Sequence, residues 1–193
     1  MIHQLAKPGL MLLAIILFFW IFFRVVLATK QTSYKTELLF LVFVAYIVCV
    51  LIITLYPLAI TREKIPGVKG INFKPFVNTI KEFSYHSASG RSLLTSHTFE
   101  NILGNILLFL PLGILLPLLS VNLNSFWKIF LVAFFFSSSI EVLQWFSRQV
   151  GIYRSVDIDD VILNVMGSVV GFLILKLIYK KTNGRSMSRE VQV

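Results

Sequence analysis

"SSIEVLQWFSRQVGIYRSVDIDDVILNVMGSVVG", residues 138–171, places one glutamate inside a hydrophobic run and three aspartates at the opening of the next. A carboxylate at the centre of a bilayer costs roughly 2.5–3.5 kcal/mol on insertion scales. Such acids need water, a proton or a partner, so the nature of the flanking runs decides the fold.

Around this stretch the chain is apolar. Of its 193 residues 56% are hydrophobic and only 14% charged, and Phe alone occurs 18 times. The mean hydropathy is +0.81. A soluble domain carries roughly a quarter charged residues, so the composition is that of an integral membrane protein. Five runs approach the roughly 20 apolar residues that a spanning helix needs, at 10–28, 38–60, 102–119, 126–146 and 156–179. The first has a secretory-signal flavour, with Lys7 before it and Val26–Leu27–Ala28 at its end. Arg24, between its apolar core and that site, favours a retained helix with a snorkelling side chain.

The expected fold is an all-α polytopic bundle of about five transmembrane helices, with one long loop between the second and third. Residues 1–60 hold two N-terminal spans, 61–100 the loop, 101–180 a three-helix core and 181–193 a basic tail. Within the loop "FVNTIKEF" (76–83) has the pattern of an interfacial amphipathic segment, and His86 and His97 fall in the polar part as solvated side chains. No internal repeat is present.

Lys and Arg number 18 against 9 Asp and Glu, for a net charge of +9. The cations sit in short loops and tails between apolar runs, which suits anionic headgroups rather than nucleic acid. The single Cys49 lies within a span and excludes an internal disulfide, and no metal-ligand spacing or cofactor motif is present. With the N-terminus outside, the two sides share the basic residues nine to nine. The dense C-terminal cluster favours a cytoplasmic C-terminus.

Relative geometry is firmer. The long loop precedes the third run and a short link joins the fourth to the fifth, so both lie on one side of the membrane. The start of the third run, the end of the fourth and the start of the fifth meet there. In the fifth, Asp157, Asp160, Asn164, Gly167 and Gly171 fall within a sector of about 80°. Asp159 points elsewhere, towards the interface. In the fourth, Ser137, Glu141, Gln144 and Arg148 form one stripe, and in the third Asn101 and Asn105 stand one turn apart.

Each stripe has a plain structural reading. Amides between membrane helices often act only as hydrogen-bonding glue, Pro111 and Gly113 shape a kink, and Gly167 with Gly171 permits close packing, here of the fourth and fifth helices. Glu141 could pair with Arg148 or Arg154. The convergence of acids, amides and Arg at one depth instead favours a polar pocket. Its candidate ligand-binding residues are Asn101, Asn105, Glu141, Gln144, Arg148, Arg154, Asp157, Asp160 and Asn164.

The elements "NFKPF" (72–76), "NILGNILLFLPLG" (101–113), "SIEVLQ" (139–144) and "RSVDIDDVILNVMGSVVG" (154–171) together resemble the VanZ-like family of small polytopic membrane proteins. The resemblance covers about half of the chain; the first two runs show no signature, and Leu112 stands where the family often has Phe. It implies a bacterial cytoplasmic-membrane protein related to resistance against teicoplanin and other lipid-bearing glycopeptides. The matching positions are Asn105, Pro111, Gly113, Glu141, Gln144, Asp157, Asp160, Asn164, Gly167 and Gly171.

Three functions fit these residues. The first is non-catalytic binding of an amphiphile at the outer leaflet, a lipoglycopeptide or a cell-wall lipid precursor, alongside membrane lipids. The second is an enzyme on a lipid-linked substrate, with Glu141 as general base and Asp160, with Asp157, holding a divalent cation or second proton. The third is a small transporter relaying protons through buried acids. Saturable binding, metal-dependent turnover and ion flux in liposomes would distinguish them.

Overall fold

The structure, a computed structural model, describes residues 18, 20–22, 33–55, 70–88, 97–149 and 155–183. Of the first hydrophobic run only residues 18 and 20–22 are described, and they are helical. Four helices long and apolar enough to cross a membrane follow among the described residues. The chain is an all-α membrane bundle.

Helix α1, Tyr34–Leu55, starts where the Ser33 carbonyl accepts from the Thr36 and Glu37 amides, and then runs through uninterrupted apolar sequence. Only Val44, Val48 and Val50 are buried along it, and Cys49 is exposed, so little of its surface is buried within the protein. A short strand, β1 (Ile71–Asn72), and helix α2 (Val77–Ala88) make up the described part of the long loop. The interfacial segment expected there is thus helical. Helix α3, His97–Leu119, begins one turn before the predicted run and contains both Pro111 and Pro117. A turn of 3-10 helix at Val121–Leu123 leads to α4, Phe126–Gln149. The second strand, β2 (Val156–Asp157), precedes helix α5, Ile158–Asn183.

Half of the most apolar window of α5 is buried within the protein, against 17% for α1. Helix α5 is therefore the post around which the others stand. Its most extensive partner is α3, then α4. Small residues set the α3–α5 distance. A Cβ at Gly167 would overlap the Ile106 carbonyl, one at Gly171 the Leu110 carbonyl, and one at Gly113 the Ser168 carbonyl. Ser168 Oγ donates to the Phe109 carbonyl at 3.1 Å across this seam. The glycine stripe expected from the sequence is present, but its partner is α3. The expectation that it closes α5 onto α4 is corrected, because the backbone in contact with Gly167 and Gly171 belongs to α3.

The core fills the angle between the helices with Phe109, Leu112 and Leu116 of α3, Ile129, Ala133 and Ile140 of α4, Val165 and Phe172 of α5, and Val50 of α1. Helix α1 is fastened to α3 at the proline. Pro111 has no N–H and weakens the helical ladder around it, and there the Tyr46 hydroxyl donates to the Leu108 carbonyl at 2.9 Å. Tyr46→Phe should destabilise the protein by about 0.6–1.7 kcal/mol, the range of interhelical hydrogen bonds in membranes. Thermal unfolding in detergent checks this; an unchanged midpoint would mean that the bond contributes nothing.

β1 and β2 pair in parallel, Ile71 opposite Val156 and Asn72 opposite Asp157. The long loop and the α4–α5 link therefore lie on one side, as the chain path requires. This small ladder positions the polar site. It also corrects the helical reading of Asp157, which lies in a strand ahead of the first turn of α5.

Candidate functional site

The first turn of α5 needs partners for its free N–H groups, and its end of the helix dipole favours negative charge. The sequence Asp157–Ile158–Asp159–Asp160 supplies both needs, and each acid addresses a different element. Asp157 caps the helix, its Oδ1 accepting from the Asp159 amide at 3.0 Å. The same oxygen accepts from Asn72 Nδ2 at 3.0 Å, while Asn72 Oδ1 accepts from the Lys74 amide at 3.1 Å. The Asp157 amide donates to Glu141 Oε2 at 3.0 Å. Thus Glu141, buried in α4, reaches the backbone of β2 and joins the hairpin.

Asp159 turns towards the loop. Its Oδ1 accepts from the Phe76 amide at 2.7 Å and its Oδ2 from Thr79 Oγ1 at 3.1 Å. Phe76 has φ 58, the left-handed region that a bulky residue occupies only under restraint. The carboxylate thus holds the strained entry of α2. Asp159 is only 3% exposed, which overturns the expectation that it points to the interface. Its burial follows from the loop helix folding over it.

Asp160 faces α3. Its Oδ1 accepts from both Asn101 Nδ2, at 2.9 Å, and Asn105 Nδ2, at 2.7 Å. Asn101 is exposed, and Asn105 and Asp160 are half-buried, so this part of the cluster opens outward. Deeper in, Asn164 Nδ2 donates to Ser137 Oγ at 2.9 Å between α5 and α4. Gln144 leaves the cluster altogether, donating through Nε2 to the Thr54 carbonyl of α1 at 3.1 Å. Arg148 is half-buried in the last turn of α4. Arg154 lies outside the described residues, and of the side chains of His86 and His97 nothing is described.

The structure brings Asn101, Asn105, Glu141, Asp157, Asp160 and Asn164 to one end of the bundle. Sequence reasoning missed Asp159, Asn72 and Thr79 as members of the same polar assembly. Asn72 stood in a recognised motif, but nothing local identified its partner 85 residues away. For Asp159 the available signal was a third acid in a first helical turn. Among the described residues, no group of three His, Cys, Asp or Glu could hold a metal ion.

No curated protein and no solved structure is a match for the chain. A family model described as VanZ/LLP1 matches residues 43–179. That span takes in β1, β2 and every carboxylate of the assembly, and with it the protein is placed: it belongs to the VanZ/LLP1 family.

Proposed function

We propose that this protein holds an amphiphile in the bacterial cytoplasmic membrane, with the apolar part of the ligand along the spans and its head on the acid–amide face. Lipoglycopeptides of the teicoplanin type are the ligands to which the family resemblance points, and capturing them would lower susceptibility. A cell-wall lipid precursor offers comparable head-group chemistry. The observation that carries this reading is Asp160, a carboxylate held by two amides on a face whose outer member, Asn101, is exposed. Amides that served only as glue would close the polar groups against each other within the bundle.

Surface-acting ligands require the face to open to the outer leaflet. That orientation places the N-terminus outside and the basic C-terminal cluster in the cytoplasm. Glu141 supports the face from beneath through the Asp157 amide. Anionic groups of the ligand would pair with Arg148 and Arg154.

Titration of the full chain in nanodiscs with teicoplanin and with a lipid-linked wall precursor tests the reading. Saturable binding of one of them is expected. Glu141→Ala should weaken it about tenfold, the equivalent of one hydrogen bond. A host producing the chain should tolerate more teicoplanin and lose that tolerance with the variant. Absence of saturable binding of both ligands, or affinity indifferent to Glu141→Ala, would overturn the proposal.

A further inference from the structure

The two oxygens of Asp160 have different surroundings. Oδ1 takes both amide bonds, whereas Oδ2 has no hydrogen-bond partner among the described residues. An ionised carboxylate can only accept. Asn101 and Asn105 must therefore turn their NH2 groups inward, which directs their carbonyl oxygens away from Asp160. The open side of the face then presents acceptors: Asp160 Oδ2, Asn101 Oδ1 and Asn105 Oδ1.

A separate observation extends this set. Thr98 precedes Asn101 by three residues and Asn105 by seven, which places it about 60° and 20° from them around α3. Thr98 is 6% exposed, and its Oγ1 is buried with no hydrogen-bond partner. A buried hydroxyl without a partner is costly, and this one belongs to the side of α3 that carries Asn101 and Asn105.

Building on the binding role proposed above, we infer that the group recognised on the ligand is a primary ammonium. Its three N–H donors match a face made of acceptors, with one on Asp160 Oδ2 and the others shared among the Asn101 and Asn105 carbonyls and Thr98 Oγ1. Its single charge matches Asp160 Oδ2, the oxygen of that carboxylate with no partner among the described residues. The neighbouring acids are engaged elsewhere, Glu141 with the Asp157 amide and Asp159 with Phe76 and Thr79, and so do not compete for the ligand. A quaternary ammonium carries the same charge but no N–H, so the face should discriminate against it.

The full chain, presented with equimolar phosphatidylethanolamine and phosphatidylcholine, tests this by native mass spectrometry. Dodecylamine and N-acetyldodecylamine serve as soluble competitors. Retention of phosphatidylethanolamine over phosphatidylcholine by about tenfold is expected for a lipid source of the ammonium. Displacement by dodecylamine without any lipid preference would support the same recognition with a soluble amphiphile as the source. The N-acetyl derivative should fail in either case. Asp160→Asn preserves the Oδ1 acceptor for both amides while replacing Oδ2 with a donor, and should bring both discriminations close to one. Thr98→Val, which retains the shape and removes the hydroxyl, should narrow them.

Equal retention of the two lipids, together with equal competition by the amine and its acetyl derivative, overturns the ammonium inference. If teicoplanin or the wall precursor still binds under that outcome, amphiphile binding stands and only the recognised group was wrong. If none of these ligands binds, both proposals fall.

Discussion

Gly113→Ala should destabilise the protein, whereas Gly104→Ala on the same helix should not. In an exposed helix interior, replacing Gly by Ala gains about 1 kcal/mol from propensity. At Gly104 nothing lies within 4 Å of the added methyl group, so that gain should be realised. At Gly113 the methyl group would overlap the Ser168 carbonyl and also meet the Phe172 amide at 2.8 Å. Both obstacles are backbone of the central helix and cannot rotate aside. Forcing them apart costs about 1–3 kcal/mol or more and breaks the register that aligns Ser168 with Phe109. The clash should therefore outweigh the propensity gain. Gly113→Leu should leave little folded protein. Unfolding midpoints in detergent settle the sign at each glycine, and a Gly113→Ala midpoint at or above wild type would refute the close α3–α5 contact.

Asp159→Ala is expected to release the loop helix and leave the spans standing. Two hydrogen bonds to a buried carboxylate are lost, one from the Phe76 amide and one from Thr79. Hydrogen bonds to charged groups contribute roughly 1.5–3 kcal/mol each and do not add fully, so the expected loss is about 3 kcal/mol. Phe76 would also lose the acceptor that offsets its left-handed backbone. Limited proteolysis should then cleave within residues 70–88 much faster than in the wild type, while the four described spans stay protected. Asp159→Asn retains an acceptor for the Phe76 amide and should give an intermediate rate. Cleavage of the Ala variant at the wild-type rate would show that Asp159 does not restrain α2.

Much of the bundle was legible because each span is specified by its own residues. The hydrocarbon requires every backbone polar group to be satisfied within the segment, so an apolar run of adequate length can be recognised without knowledge of its neighbours. Spacing along a regular helix also sufficed to put Asn101 and Asn105 on one face and to put Asp160, Gly167 and Gly171 on another. The same rule misled at Asp157, where the backbone is extended, and at Asp159, whose angular position says nothing about a helix packed over it. It also could not state that the glycines meet α3, because periodicity defines a face and not what fills it.

From the sequence alone came the membrane class, the four spans seen among the described residues, the polar faces and the side of the bundle on which they gather. Each follows from local quantities: the cost of polar groups in lipid, the helical repeat and the parity of crossings. Only the tertiary structure decided the pairings: Asp160 with Asn101 and Asn105, Asp159 with Phe76 and Thr79, Asp157 with Asn72, and Glu141 with the Asp157 amide. Those bonds join residues from 16 to 85 positions apart. They depend on the rotation of α3 against α5 and on one two-residue parallel ladder, neither of which leaves a periodic mark in the chain.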